Sequence, residues 1–401
     1  MALLRWSAPV IVALCVLTLQ AAEPQVAPHA TPASVGLSAE PLSEATALLK
    51  VFVADKKIAG AVAAISRKGK LAYLESVGMR DLRTRAPMTP QSLFRIYSMT
   101  KPVTAVAVMM LHEQGRFNLS DPVSKYLPEF KDVKVAVPGG AARAPARAIT
   151  IHDLLLHTSG LSHRTSELYR TAGVRVRTDT LPQFVSKIVK APLMEDPGTR
   201  YRYSEGTTVL GRLVEIWSGQ PFDEFLDARV FTPLGMHDTN FWVTPQQRAR
   251  LAMVYRSPIA GLAPFEIEPE VPFTERPALL EGAVGLVSTV SDYLRFSQML
   301  LNRGELDGAR ILSAKTVEMM TTNSLPDAVL QARGGARGWG LGNVDIAMDT
   351  GEYGWDGSAG TIFTIDPRHE LITILMWQSV PADPDGLRAR FKALVQRAIV
   401  N

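Results

Sequence analysis

The residues with the clearest chemical potential form the motif Ser98-Met99-Thr100-Lys101. Of all the lysines in the chain, only Lys101 has a serine three positions earlier. Residues three apart on a helix share a face, so the Ser98 hydroxyl and the Lys101 amine can meet. A serine becomes a nucleophile when a base takes its proton, and a buried lysine held toward neutrality can be that base. The motif alone also fits a surface cap followed by a solvated lysine, since about one such spacing arises by chance.

The residues after this motif strengthen the catalytic interpretation. Residues 103–111 are apolar almost all round, which predicts a helix buried on every side. Pro102 suits the first turn of that helix, where a backbone N–H has no partner in any case. The positive end of the helix dipole favours negative charge developing on Ser98. We therefore predict that Ser98 and Lys101 lie at the beginning of a buried helix.

Two further segments could complete a hydrolase site. Residues 203–206 (YSEG) precede a helical pattern at 209–217, and the Tyr203 hydroxyl could relay protons to a leaving group. Tyr201 competes for this role, but only Tyr203 places Ser-Glu-Gly directly before the helix. Residues 355–361 (WDGSAGT) lead into a strand, and their glycines would let a backbone N–H approach a substrate oxygen, as an oxyanion hole requires.

Other chemistries find less support. His157 could suggest a Ser-His-Asp triad, but the chain has no Gly-x-Ser-x-Gly elbow, and a packed histidine at a helix end is the favoured interpretation. The seven histidines include no His-Glu-x-x-His pattern, so we expect neither a metal nor another cofactor. The 43 basic and 39 acidic residues nearly balance and form no basic run, so no nucleic-acid partner is expected.

The N-terminus has the layout of an export signal. Arg5 precedes an apolar run at 8–19 that is too short for a comfortable membrane span, and small residues follow at Ala21 and Ala22. We expect a signal peptide over residues 1–22 and an exported protein, periplasmic or secreted, with no stable membrane span after cleavage. An uncleaved anchor is the alternative.

The rest of the chain suggests one large unit of two lobes. Residues 23–35 are rich in Pro and Ala and predict a linker, and the only cysteine, Cys15, lies in the signal. The mature chain would therefore have no disulfide and no thiol nucleophile. With 401 residues, 46% of them hydrophobic, the chain can bury a large core.

Strand patterns lie near both ends of the chain, and helical patterns dominate the middle. Helical spacing recurs at Leu42, Ala45, Leu49 and Phe52 and again from Leu387 to Ala398, and hairpins are predicted from 61–65 with 71–77 and from 361–365 with 371–377. We predict an α+β fold, in which an antiparallel sheet flanked by the terminal helices receives an inserted all-helical lobe. The hydrolase domain would span 36–401, with an α/β lobe at about 36–97 and 280–401 and a helical lobe at about 98–279.

The order of these motifs resembles the serine β-lactamase and penicillin-binding-protein group. The similarity is greatest to its class C branch and the related family VIII carboxylesterases, and it covers nearly the whole mature chain. Three more segments resemble landmarks of the group, at 154–161 (LLLHTSGL), 234–239 (LGMHDT) and 285–289 (GLVST). The resemblance implies that Ser98 is acylated, that Lys101 is its base and that Tyr203 is a second acid or base. It also implies that the backbone N–H groups of Ser98 and Ser358 form the oxyanion hole.

Two departures from the group's pattern bear on the substrate. β-Lactamases of this type carry Lys-Thr-Gly, and its lysine binds the carboxylate of a β-lactam, whereas this chain has Trp355-Asp356-Gly357. The resemblance implies that Trp355 and Gly357 line the substrate pocket, as in the esterase branch. Glu205 stands where an amide is usual, and it is a further predicted substrate-contacting residue. A carboxylate near Lys101 would favour the charged lysine, so either Glu205 points away or Tyr203 carries more of the base work.

Three functions follow from this reasoning. A carboxylesterase acting on small esters is favoured, and a β-lactamase or D-amino-acid peptidase of the same fold is the first alternative. The second alternative is a non-catalytic receptor or scaffold resembling penicillin-binding proteins, for which the joint presence of Ser98, Lys101 and Tyr203 has no explanation. The expected partner is a small-molecule ester or amide. The acyl and alcohol groups and the oligomeric state are left open by these patterns.

Overall fold

The computed structural model of this chain describes residues 27–256, 261–265 and 273–400. The predicted signal peptide at 1–22 lies outside these residues. The helices are α1 Ala39–Ala54, α2 Thr100–Glu113, α3 Ile151–Leu155, α4 Glu167–Thr171, α5 Leu181–Ile188, α6 Gly206–Ser218, α7 Phe222–Leu226, α8 Thr232–Leu234, α9 Val290–Leu301, α10 Ala314–Thr321, α11 Asp327–Ala332 and α12 Leu387–Ala398. The strands are β1 Gly60–Arg67, β2 Lys70–Asp81, β3 Ala86–Pro87, β4 Phe94–Arg95, β5 Tyr255–Arg256, β6 Ala263–Pro264, β7 Val287–Ser288, β8 Glu305–Leu306, β9 Ala309–Arg310, β10 Arg337–Trp339, β11 Asp345–Ala347, β12 Tyr353–Asp356, β13 Ile362–Asp366, β14 Leu371–Trp377 and β15 Ser379–Val380.

An eight-stranded antiparallel sheet joins the two ends of the chain. Its strand order is β10-β11-β12-β13-β14-β1-β2-β3, so the N-terminal hairpin pairs with the C-terminal one along β1 and β14. Lys68 and Gly69 connect β1 to β2 with positive φ at both residues, as a two-residue hairpin turn requires. Both predicted hairpins are confirmed.

The sheet is covered on both faces, which explains why every residue of β1 is buried. Ala61, Ala63 and Ile65 pack with α1 and α12, whereas Val62 and Ala64 face the core shared with the helical lobe. Successive strand residues point to opposite faces, so a strand buried on both sides must be continuously apolar. The predicted α+β fold with terminal helices on the sheet is confirmed.

Helices α2 to α8 fall within residues 98–279, and α2 packs against α6. Every residue from Thr100 to Leu111 is buried, which includes the stretch 103–111 that was predicted to be buried. Two details differ from the prediction. The short strands β5 and β6 join β15 in a small sheet, and Pro32–Val35, placed in the predicted linker, is a 3₁₀ helix. His29 also bridges to Leu71, because backbone pairing at the edge of the sheet orders this segment.

None of the described helices combines the length and apolar character needed to cross a membrane.

The first turn of α9 contains Asp292, a buried carboxyl group that takes up a proton at higher pH than an exposed aspartate does. The carboxylate of Asp292 accepts hydrogen bonds from the Asp238 backbone N–H and the Thr239 hydroxyl, both at 2.8 Å. Burial raises the pKa of Asp292 from 3.8 to about 6. Because the folded pKa is the higher one, this group's contribution to stability is complete below about pH 3.8 and is lost as the pH rises through about 6.

Replacing Asp292 by asparagine should therefore change the pH dependence of folding. We expect the unfolding free energy of Asp292→Asn, measured relative to that of the wild type, to rise by about 1–2 kcal/mol from pH 5 to pH 7.5. The reason is that the wild type must ionise a buried group over this range. Urea unfolding of both proteins at the two pH values measures this difference. A difference between the proteins that does not change with pH would contradict the prediction.

Candidate active site

Ser98 lies on a 3₁₀ turn, Tyr97–Met99, between β4 and the first turn of α2. The backbone of Tyr97 has a φ of 41°, which side-chain-bearing residues rarely adopt. Such conformations persist where the surrounding structure enforces them, and here the Tyr97 ring is fully buried. Ser98 itself is 8% exposed, so the turn presents it at the edge of the core.

Lys101 extends from the first turn of α2 into the protein interior. Its side chain is 1% exposed, and Nζ donates a hydrogen bond to the Ala283 carbonyl at 2.9 Å. The same Nζ lies 4.5 Å from the centroid of the Tyr203 ring. The carbonyl oxygen and the ring face together fix the direction in which the Lys101 amine points. The geometry therefore brings Lys101 and Tyr203 together one turn from Ser98.

The segment that receives Lys101 is fastened to α2 by threonines. The Thr104 hydroxyl donates to the Gly282 carbonyl at 2.7 Å, and the Leu286 backbone N–H donates to the Thr100 hydroxyl at 3.1 Å. Residues 282–286 include Ala283, whose carbonyl accepts the Lys101 hydrogen bond, and they overlap the landmark at 285–289 (GLVST). This contact explains why that landmark belongs to the same site as the Ser-x-x-Lys motif.

The Tyr203 hydroxyl is held by a hydrogen bond from the indole of Trp355. Trp355 Nε1 donates to the Tyr203 hydroxyl oxygen at 3.0 Å, so the Tyr203 proton is left for a different acceptor. Tyr201 instead packs edge-on to His157, with the Arg333 guanidinium carbon 3.9 Å from its ring centroid. Of the two tyrosines, Tyr203 is the one whose ring contacts Lys101, which agrees with the sequence assignment.

His157 is a packed core residue beyond the end of α3. It is fully buried, and its Nδ1 accepts the Ser204 backbone N–H at 3.3 Å. Burial, followed by the charge of Lys101, holds the pKa of His157 well below its usual range. The neutral ring therefore supports the segment that carries Tyr203. The sequence had predicted a packed histidine at a helix end but not this contact.

Glu205 points along its own helix. Glu205 occupies the N-cap position of α6, and its carboxylate accepts a hydrogen bond from the Thr208 hydroxyl at 3.0 Å. No ion pair joins it to Lys101 among the described residues. Glu205 is 1% exposed, and its contact with substrate stays a prediction. The orientation away from Lys101 is the first of the two alternatives stated above.

The Gly-rich segment between β12 and β13 lies against the residues that precede Ser98. A Cβ on Gly357 would come within 2.5 Å of the Ile96 carbonyl oxygen, so only glycine fits there. The Thr361 hydroxyl donates to the same carbonyl at 3.2 Å. Ser358, at the exposed tip of this segment, is thereby held beside the nucleophile turn. Its role as an oxyanion donor stays a prediction.

Arg388 secures this segment from the C-terminal helix, and sequence reasoning missed it. Its Nη2 donates to the carbonyls of Gly357 at 2.8 Å and Thr361 at 3.3 Å, and its Nη1 pairs with the Asp356 carboxylate. In the sequence, Arg388 is one of three arginines in an amphipathic helix, and nothing there distinguishes it as the one that makes this contact. Arg388 is a positioning residue for the segment that carries Ser358.

Replacing Arg388 by methionine should slow turnover more than it weakens substrate binding. Loss of one oxyanion donor costs about 10²–10³-fold in kcat, and a displaced segment should cost part of that, about tenfold or more. Lys392→Met is the matched control, because Lys392 lies one turn further along α12 and pairs with Glu352 without touching the segment. Steady-state kinetics measures the changes in kcat and KM, and thermal melting measures any loss of stability. Arg388→Lys should restore part of kcat. Equal losses in the Arg388→Met and Lys392→Met variants would contradict a positioning role.

No cluster of three or more His, Cys, Asp or Glu side chains that could hold a metal occurs within the described ranges.

Comparison with known proteins identifies the family. The sequence profile of the Beta-lactamase family matches residues 45–397. The chain belongs to this family. Its members are serine hydrolases, and the resemblance inferred from the motifs is confirmed.

Similar proteins within the family include esterases. Protein Rv1367c of Mycobacterium tuberculosis is 34% identical over 351 residues, which cover 81% of this chain and 86% of the relative. Esterase EstB of Burkholderia gladioli is 29% identical over 356 residues, covering 80% and 86% respectively. Among solved structures, EstCE1, a hydrolase with promiscuous acyltransferase activity, has a TM-score of 0.78 at 25% identity, covering 90% of this chain and 99% of that one.

Proposed function

We propose that this protein is a carboxylesterase that cleaves small esters through an acyl-enzyme on Ser98. The observation that carries the proposal is the placement of the buried Lys101 amine against Tyr203, one turn from Ser98. The similarity to Esterase EstB supports an ester as the substrate, and the similarity to the hydrolase EstCE1, which has acyltransferase activity, supports an acyl-enzyme. The indole of Trp355, at the position of the β-lactamase lysine, supports an uncharged leaving group.

In the proposed reaction, the Ser98 hydroxyl oxygen attacks the ester carbonyl carbon while its proton passes to the Lys101–Tyr203 pair. The carbonyl oxygen becomes negative and accepts hydrogen bonds from the backbone N–H groups of Ser98 and Ser358. Collapse of this intermediate breaks the bond to the alcohol, which takes the proton from Tyr203. Water then attacks the acyl-serine by the reverse proton route and releases the acid.

A panel of substrates tests this proposal. The purified protein is incubated with p-nitrophenyl esters, with nitrocefin and with a D-Ala-D-Ala peptide, and kcat/KM is measured for each. A preference for the esters supports the carboxylesterase, whereas a preference for nitrocefin or the peptide indicates the β-lactamase or peptidase alternative. Turnover of none of the three classes would favour the receptor or scaffold.

We further propose that the protein acts outside the cytoplasm, from the signal layout around Arg5 and the apolar run at 8–19. Cleavage should leave a mature N-terminus near Ala22 or Glu23. N-terminal sequencing of natively expressed protein measures this directly. An intact Met1 on protein recovered from the cytosol would refute it.

A further inference from the structure

Arg164 lies beside the proposed oxyanion segment and is not used in the mechanism above. Its Nη2 donates to the Ser358 hydroxyl at 3.4 Å, and its guanidinium carbon lies 5.8 Å from the centroid of the Tyr97 ring. These two contacts place a cation next to the residue before the nucleophile and next to the proposed oxyanion donor. Arg164 follows the LLLHTSGL landmark by three residues, but nothing in that landmark indicates the contact with Ser358.

The guanidinium of Arg164 is incompletely paired. Its Nη1 is buried without a hydrogen-bond partner. The charge of Arg164 acts on the buried Glu281, whose pKa it helps to lower, but no ion pair joins Arg164 to a carboxylate of the described residues. A buried charged donor without a partner is costly, so an incoming anion would gain by pairing with it. The neighbouring Arg175 differs, because its Nε and Nη2 bind both carboxylate oxygens of the buried Glu281.

The surroundings of Arg164 carry a positive field. Burial and, after it, the charges of Arg164, Lys101 and Arg175 lower the pKa of His163 to about 4. His163 stacks on Tyr203 at 5.7 Å between ring centroids. With His163 neutral near pH 7 and Arg175 paired with Glu281, Arg164 is the cation beside Ser358 that can attract an anion.

The contacts also indicate which part of the substrate Arg164 would meet. The leaving alcohol must take its proton near the Tyr203 hydroxyl, which is held by Trp355. Arg164 contacts neither of these residues and instead flanks Ser98 through Tyr97 and Ser358. The acyl part of the substrate is therefore the part beside Arg164.

We propose that Arg164 is a specificity-determining residue that binds a carboxylate on the acyl part of the ester, so that hemiesters of dicarboxylic acids are the preferred substrates. This inference rests on the proposed esterase function and names its substrate class. Guanidinium and carboxylate groups pair through two parallel hydrogen bonds, which adds orientation as well as affinity.

The test compares the hemiester mono(p-nitrophenyl) glutarate with p-nitrophenyl butyrate. The ratio of their kcat/KM values cancels general damage to Ser98 chemistry. We expect Arg164→Gln to lower this ratio by about ten- to a hundred-fold, with Arg164→Lys in between. Added NaCl should lower the wild-type ratio and leave that of Arg164→Gln nearly constant, because only the wild type uses a charge pair. Should Arg164→Gln fail to fold, Arg164→Lys and the salt dependence of the wild type decide.

Two controls sharpen the result. Arg170→Gln removes an exposed arginine that pairs with Glu167, and it should leave the ratio unchanged. A carboxylate on the alcohol part, in 3-carboxyphenyl butyrate against phenyl butyrate, should respond little to Arg164→Gln. An unchanged glutarate ratio in Arg164→Gln, or a loss confined to the alcohol-side pair, would overturn the proposal.

The failure of the esterase function can be told apart from the failure of this inference. If neither ester is hydrolysed, the proposed function is wrong, and the anion site is tested by fluorophosphonate labelling of Ser98. Glutarate should then slow labelling of the wild type more than labelling of Arg164→Gln. Equal labelling rates with and without glutarate would overturn the anion site.

Discussion

Replacement of Ser98 by alanine is expected to abolish both ester hydrolysis and labelling by a fluorophosphonate probe. The physical reason is that alanine removes the only atom that can carry the acyl group in the proposed mechanism, while Lys101 and Tyr203 keep their positions. Because these residues act as a unit, the expected loss of kcat is at least about 10³-fold. Hydrolysis of p-nitrophenyl butyrate and mass spectrometry of the labelled peptide measure the two effects.

Ser43→Ala is the matched control for this variant. Ser43 is exposed on α1, where its hydroxyl hydrogen-bonds only to the Ala39 carbonyl of the same helix. Labelling and turnover should both survive this substitution. Labelling that persists in Ser98→Ala would show that a different residue is the nucleophile.

The second large effect concerns the class of substrate. We expect kcat/KM for p-nitrophenyl acetate or butyrate to exceed that for nitrocefin by at least about ten- to a hundred-fold. The carboxylate of nitrocefin lies on the leaving-group side, where Trp355 replaces the lysine that β-lactamases use. Losing one charge-assisted hydrogen bond costs about 1.5–3 kcal/mol, which corresponds to this factor.

The double variant Trp355→Lys with Glu205→Asn should narrow this gap by raising turnover of nitrocefin. Trp355→Phe is the control, since it keeps an aromatic ring without adding a cation and should not raise nitrocefin turnover. A wild-type enzyme that prefers nitrocefin would show the esterase proposal to be wrong. The roles of Ser98, Lys101 and Tyr203 would be unaffected by that result.

The features predicted correctly from sequence depend on short stretches of chain. Ser98 lies on the 3₁₀ turn before α2 and Lys101 in its first turn, close to the helix start predicted from their spacing of three. The burial of α2 follows from its apolar composition. The hairpin turn at Lys68 and Gly69 needs only residues that tolerate positive φ. Tyr203 was preferred over Tyr201 because of its distance to the next helix, and its catalytic role stays a prediction.

The features that sequence reasoning missed are contacts between distant segments. Arg164 and Ser358 are 194 residues apart, and Arg388 reaches Gly357 across 31 residues. The sequence does not show whether an arginine is solvated or hydrogen-bonds to a loop, because tertiary packing decides which groups lie near its side chain. Within the predicted linker, the pairing of His29 with Leu71 is another contact between distant segments that composition did not indicate.

The local sequence was thus enough to indicate a serine nucleophile, its lysine and the α+β fold, because periodicity and spacing act over a few residues. The orientation of Glu205 could not be derived in this way. A carboxylate before a helix can turn toward Lys101 or toward its own first turn, and both are compatible with the sequence. The hydrogen bonds of the folded chain decided between them, because Lys101 donates to the Ala283 carbonyl and the Glu205 carboxylate accepts from the Thr208 hydroxyl in its own first turn.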